Sequence, residues 1–124
     1  MIVGIGVDIV QVNRMERWVN NAKLLERFFH KEEINPSFST RKKSTQNLAA
    51  RFAAKEAFGK ALGSGLADLS LKDIMVINQD NGKPEIKLFG TAAKALEKSG
   101  AVKVHISLTH ERDYAVAVIV LEGA

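Results

Sequence analysis

The sequence predicts an α+β fold in one small domain, and three observations predict it. Apolar stretches with strand character open and close the chain. The later ones come in two pairs, each joined across a turn. Between them lie segments whose apolar residues recur at helical spacing. A length of 124 residues favours a single domain, with enough chain for a modest core.

Residues 2–12 read as a strand that is apolar on both faces. Val3, Ile5, Val7 and Ile9 fall on one side, and Ile2, Gly4, Gly6, Asp8, Val10 and Val12 on the other. Such a strand is expected to be covered on both sides, and Asp8 is the exception within it. Asn13 is placed to cap the next segment. Met15, Trp18, Val19, Ala22, Leu25 and Phe29 share a helical face, and Asn20-Asn21 divides that region into two short helices. Pro36-Ser37-Phe38-Ser39 predicts a loop, and Arg41, Lys42 and Lys43 form a basic cluster after it.

Ser44 or Thr45 can cap a second helix that runs to about Leu62, where Gly63-Ser64-Gly65 stops it. Residues 74–78 and 85–88 predict a hairpin whose turn holds Asn81-Gly82, a pair suited to positive φ. Residues 91–99 predict a short helix closed by Gly100. Residues 102–109 and 115–121 predict a second hairpin. No repeat, low-complexity tract or linker interrupts this order.

Composition narrows the function classes. Without cysteine there is neither disulfide nor thiolate chemistry, and a reducing cytoplasm is the expected setting. The N-terminus lacks the basic start of a signal peptide, and no apolar run approaches the ~18 residues of a membrane span. A net charge of +4 and a pI of about 9.5 favour acidic partners, although a surplus of solvating charge explains them equally well.

Two carboxylates stand where carboxylates are uncomfortable. Asp8 lies among valines and isoleucines. Glu56 shares a helical face with Leu48, Ala49 and Phe52. A buried, unpaired carboxylate is costly, so each needs a cation, donors or a proton. If strand and helix pack together, the two can hold one hard divalent ion, since magnesium takes one or two carboxylates and completes its shell with water and phosphate. Spacing alone favours the plainer account, in which backbone donors satisfy one acid and Lys60 the other. Arg51, Lys55 and Lys60 stand on the same helix, and Gly63 and Gly65 follow it. Basic side chains beside open glycine backbone suit phosphate, and they equally suit a solvated helix face with a glycine stop. The Gly-x-x-x-x-Gly-Lys-Ser/Thr order of a Walker loop is absent. His110, in a turn, is a phosphate contact, a base or a surface residue. Ser107 has no base beside it in sequence, which speaks against a nucleophilic serine.

Four segments together resemble one family, the holo-acyl-carrier-protein synthases among the phosphopantetheinyl transferases. They are Gly4-Ile5-Gly6-Val7-Asp8-Ile9-Val10 with Arg14, Arg51-Phe52-Ala53-Ala54-Lys55-Glu56-Ala57 with Lys60-Ala61-Leu62-Gly63-Ser64-Gly65, Gly82-Lys83-Pro84, and Ile106-Ser107-Leu108-Thr109-His110 with Ala115 and Ala117. The likeness spans nearly the whole chain. Thr109 stands where the family usually has serine and keeps the hydroxyl.

The resemblance implies transfer of 4'-phosphopantetheine from coenzyme A to a serine of apo acyl carrier protein, in the service of fatty acid biosynthesis. It implies magnesium, with manganese an acceptable substitute, on Asp8 and Glu56. It implies a nucleotide site formed by Arg51, Lys60, Gly63, Gly65, Gly82, Lys83, Pro84, Ser107, Thr109 and His110. Glu56, directly or through a metal-bound water, is the implied general base, with Lys55 the alternative. Arg14, with Arg17, Lys23 and Arg27, is expected to meet the acidic carrier, and a homotrimer with sites at its interfaces is expected as the assembly. Two other classes compete. A nucleic-acid-binding domain calls for aromatic and basic residues interleaved on a sheet, but aromatics are only 6% and few fall in the predicted strands. A non-catalytic nucleotide-binding subunit has no need of both Asp8 and Glu56.

Overall fold

The first strand, β1 (Ile2–Gln11), is the seam of the fold in a computed structural model that describes residues 1–37 and 41–124, with side chains over 1–34 and 45–124. It pairs antiparallel with the last strand, β5 (Tyr114–Gly123), which also pairs with β4 (Ala101–His110), so the order is β1-β5-β4. A separate hairpin joins β2 (Ile74–Asn78) to β3 (Pro84–Leu88) across a turn in which Gly82 has φ +87°. The helices are α1 (Glu16–Val19), α2 (Ala22–Phe28), α3 (Lys31–Ser37), α4 (Arg41–Leu62) and α5 (Gly90–Ser99). The α+β class expected from the sequence is the class observed.

Helix α4 is the hub. Leu48, Ala49, Ala50, Phe52, Ala53, Ala54, Ala57, Phe58 and Ala61 are all buried, so most of the helix from Leu48 to Ala61 is covered, with Lys60 left exposed. Its alanines let the sheet come close. A Cβ at Gly4 would strike the carbonyl oxygen of Ala61, and one at Gly6 that of Ala57, so only glycine permits this contact. On its other flank Trp18 packs on Phe52, Phe28 and Phe29, with ring centroids 5.3, 5.2 and 6.1 Å away.

Register assigns the sheet's faces. Asp8 lies opposite Ala117 and Gly6 opposite Ile119, and this side meets α4. Val7 lies opposite Val118 and Ile9 opposite Val116, on the far side. Expected cover on both faces of β1 is therefore corrected. Within this chain Ile5, Val7 and Ile9 stay 62%, 53% and 60% exposed, because α4, the helix against β1, packs on the side of Gly4 and Gly6.

The Asn20-Asn21 break is observed, with the Asn21 side chain accepting from the Leu24 amide at 3.2 Å. Three local expectations fail. Asn13 lies inside a 3-10 turn, Val12–Met15, whose entry has no side-chain cap; the Val12 amide donates instead to the Asp113 carbonyl at 2.8 Å. Helix α3 continues through Pro36 and Ser37, where a loop was expected; residues 38 and 39 of that loop lie outside the described residues. Ser44 and Thr45 lie inside α4, which already begins at Arg41, and not at its N-terminus. The side chains of Arg41, Lys42 and Lys43 lie outside those described. Among the described residues no helix is long and apolar enough to cross a membrane.

Candidate active site

Asp8 points from β1 toward α4 because strand alternation puts it on the side of Gly4 and Gly6. Its carboxylate, 15% exposed, accepts from Lys60 Nζ at 2.9 Å, and the same ammonium donates to the Val7 carbonyl at 3.2 Å. Glu56 stands one turn before Lys60. Burial, and then the charge of Asp8, push its carboxyl above the usual carboxylate range, against the opposing pull of Lys60 and Arg14. Asp8, by hydrogen bond and then by charge, holds the Lys60 ammonium above the usual lysine range. The plainer pairing expected from spacing, Lys60 with Glu56, is replaced by Lys60 bonded to Asp8. Two acids and a lysine thus share one patch at the end of α4.

Beyond Lys60 the helix stops at Gly63 (φ +86°) and Gly65 (φ +66°), whose amides return to the carbonyls of Lys60 and Gly59, both at 3.0 Å. Arg14, exposed in the 3-10 turn, sits with its guanidinium 5.9 Å from the Phe52 ring centre. Arg17, Lys23 and Arg27 are exposed along the same helical region.

A second locus lies farther back on α4. A cavity of about 180 Å³ is lined by Arg51, Asn47, Asn78, Gly82, Pro84 and His110, among others. Three distant segments therefore meet there: α4, the β2–β3 turn and the end of β4. Arg51 is nearly fully buried. Its Nε donates to the Val76 carbonyl at 3.1 Å, and desolvation lowers its proton affinity against the pull of Glu33. Lys83, exposed, borders this turn, with its amide on the Asn81 side chain at 3.0 Å.

Other expected residues fall elsewhere. Ser107 and Thr109 lie opposite Val118 and Val116, on the open outer face of the sheet and away from Asp8 of the same chain. Lys55 is fully buried in the core against Glu33, at 2.7 Å, and does not join Asp8 and Glu56. Glu33 was not anticipated at all. In sequence it sits in Lys31-Glu32-Glu33, which looks like a solvated helix start. A cavity of about 640 Å³, larger than that at Arg51, lies between the 3-10 turn, α4 and the β4–β5 turn, and contains none of the expected site residues. Size is a poorer guide here than chemistry.

A metal can be tested against these donors. Two hard carboxylates, one with its proton affinity raised by burial and then by the charge of the other, suit a small divalent cation. Among the described residues no group of three or more His, Cys, Asp or Glu completes a protein-only shell. That is the donor set of an ion that keeps water and phosphate ligands.

The comparisons with known proteins agree along the whole chain. The family described as "4'-phosphopantetheinyl transferase superfamily" matches residues 4–119. A holo-(acyl-carrier-protein) synthase of Treponema denticola is 56% identical over 99% of this chain and 100% of its own length. The crystal structure of the synthase from Neisseria meningitidis superposes with a TM-score of 0.86 at 36% identity, covering 98% of this chain and 99% of that one. The Bacillus anthracis synthase, solved in complex with CoA (3',5'-ADP), superposes with a TM-score of 0.82 at 38% identity, covering 100% and 99%. The chain belongs to the 4'-phosphopantetheinyl transferase superfamily and, within it, to the holo-(acyl-carrier-protein) synthases.

Proposed function

We propose that this enzyme moves the phosphopantetheine arm of coenzyme A onto a serine hydroxyl of apo acyl carrier protein, releasing adenosine 3',5'-bisphosphate, as a step serving fatty acid biosynthesis. The observation that carries this reading is Asp8 set against Glu56 and Lys60, at one end of a helix that also presents Arg51 to a cavity. The Bacillus anthracis relative, solved with CoA (3',5'-ADP), supports coenzyme A as the donor.

Asp8 and Glu56 would hold magnesium, or manganese, and the ion supplies charge neutralisation at the reacting phosphate. Lys60 adds a positive charge on the same side, where negative charge grows on the leaving bisphosphate. The serine oxygen forms a bond to the phosphorus bearing pantetheine as that phosphorus releases its bridging oxygen. The serine proton leaves to a base. Glu56 is the proposed acceptor, because it stands one turn from Lys60 and beside Asp8, on the side where the phosphate is proposed to react. Arg51, Gly82, Lys83, Pro84 and His110 are proposed to hold the nucleotide, with Gly63 and Gly65 presenting backbone to phosphate. Arg14, Arg17, Lys23 and Arg27 are proposed to receive the acidic carrier. Arg14→Glu is expected to raise the KM for carrier well above any change for coenzyme A; an unaltered carrier KM removes Arg14 from docking.

The open outer face supports a homotrimer. Ile5, Val7 and Ile9 beside Val116, Val118 and Val120 make an apolar surface larger than scattered exposed residues do. Thr109 and His110 border it, which fits a nucleotide site completed across subunits. Light scattering that returns a monomer mass at working concentration would overturn the assembly. The cysteine-free composition fits the proposed cytoplasmic setting.

Incubation with coenzyme A, magnesium and apo acyl carrier protein tests the reaction itself. Intact-mass analysis is expected to show a phosphopantetheine adduct on the carrier. Its absence over a range of metals and pH would sink the assignment.

A further inference from the structure

Behind the reacting groups, α4 carries a second ionic contact that the chemistry above does not use. Lys55 and Glu33 are both fully buried, 2.7 Å apart. The ammonium also donates to the Leu71 carbonyl at 2.9 Å and to the Ile74 carbonyl. Its three N–H bonds therefore have three acceptors, and each acceptor lies on a different part of the chain. Glu33 accepts in turn from the His30 amide at 2.9 Å and the Val76 amide at 3.1 Å. A lysine so enclosed has no free position from which to take a serine proton.

Val76 is the informative residue. Its amide is held by Glu33, and its carbonyl is held by Arg51 Nε at 3.1 Å. Val76 lies in β2, the strand that leads into the turn of Gly82 and Pro84, and those residues line the cavity with Arg51 and His110. One carboxylate thus links α3 to α4 through Lys55 and to the hairpin through Val76. Arg51, one turn before Lys55, grips the same hairpin residue from the cavity side. The sheet pairs of β2 are with β3 alone, and the bonds from Arg51 to the Val76 carbonyl and from Lys55 to the Ile74 carbonyl tie the hairpin's backbone to α4, while the Val76 amide ties it to Glu33 of α3.

We propose that Glu33 is a positioning residue for the nucleotide half of the site: with Lys55 it seats the β2–β3 hairpin against α4 and so sets the spacing between Arg51, Gly82 and His110. It touches no reacting group, and Lys55 is its structural partner, not a proton acceptor. The proposal rests on the reading of the Arg51–His110 cavity as the place where the coenzyme A nucleotide sits.

Steady-state kinetics with each substrate varied test it. Glu33→Gln is the simplest variant, but it leaves a buried lysine without its counter-charge and risks unfolding. The double variant Glu33→Met with Lys55→Met removes both charges together, keeps the volume filled and still deprives the Val76 amide of its acceptor. In the folded double variant the KM for coenzyme A is expected to rise about tenfold, with kcat and the KM for carrier protein nearly unchanged. Hydrogen exchange at the Val76 amide is expected to speed up in parallel, which a general loss of stability would not confine to the hairpin. A collapse of kcat with an unchanged coenzyme A KM would overturn the proposal and return Lys55 to the chemistry. Arg51→Ala separates the two levels. If it raises the coenzyme A KM and the double variant does not, only the positioning role falls. If Arg51→Ala leaves that KM unchanged, the cavity itself is not the nucleotide site, and the proposal falls with it.

Discussion

Lys55 and Lys60 stand five residues apart on α4, and each meets a carboxylate within 2.9 Å, yet the two pairs share little else. Glu33 and Lys55 are wholly buried, and backbone groups complete their hydrogen bonds. Asp8 and Lys60 lie near the surface, with the Lys60 side chain 54% exposed and a second acid, Glu56, beside them. The buried pair has no capacity left for a ligand, so it can only hold structure. The outer pair has one hydrogen-bonded cation for two carboxylates, with Arg14 acting on Glu56 only through its charge, and that surplus of carboxylate is what an incoming metal cation can resolve. Similar side chains at similar distances thus become scaffold or site according to how completely their surroundings satisfy them.

Removing the outer acids sharpens this contrast most. Asp8→Ala and Glu56→Ala are each expected to lower turnover by about three orders of magnitude while urea unfolding stays cooperative. Near-normal turnover in either variant would dissolve the distinction. The inner pair is expected to behave the other way. Lys55→Met strands a buried carboxylate and is expected to cost about 3–5 kcal/mol of stability in urea titration. Lys60→Met, at an exposed pair, is expected to leave the urea midpoint nearly where it was. Equal destabilisation by the two lysine substitutions would show that burial is not what separates the pairs.

The smallest effect concerns pH. Glu56 binds its proton more tightly folded than unfolded, because burial and Asp8 disfavour its charge. Its ionisation therefore costs stability, and the cost appears as pH rises through its folded-state pKa and is absent below the ordinary carboxylate pKa. Glu56→Gln is expected to raise Tm at neutral pH, with the gain fading toward acid. Magnesium is expected to raise the Tm of the parent and not of the variant. A Tm gain that persists unchanged at low pH would remove the electrostatic cause.

Much of the outer pair was legible in the sequence. Asp8 among valines and Glu56 on an apolar face are visible anomalies, because local periodicity predicts burial and the residue type resists it. Their separation in sequence hid the contact, and with it the choice of Asp8 as partner for Lys60. The inner pair was illegible. Glu33 lies in a charged run that reads as solvated, and its burial depends on α3 docking against β2, a contact no local pattern announces. The cavity residues were likewise found through family likeness, since Arg51, Gly82 and His110 come together only in the tertiary fold. The open face of β1 was legible as apolar, but the expected cover on both sides is not found within this chain, where α4 packs on one side only.

Helix α4 carries Arg51 at one locus and Glu56 with Lys60 at the other, which makes it a gauge block. Nine residues of helix set the span from Arg51 to Lys60 at about 13 Å, and a rigid, buried helix allows little slack in that figure. Side chains at either end can be retuned one at a time. A single residue inserted between Arg51 and Glu56 would swing one end by about 100° relative to the other. Length variation in this protein should therefore gather in its turns and spare those few helical residues, where the calibration is cut into the backbone.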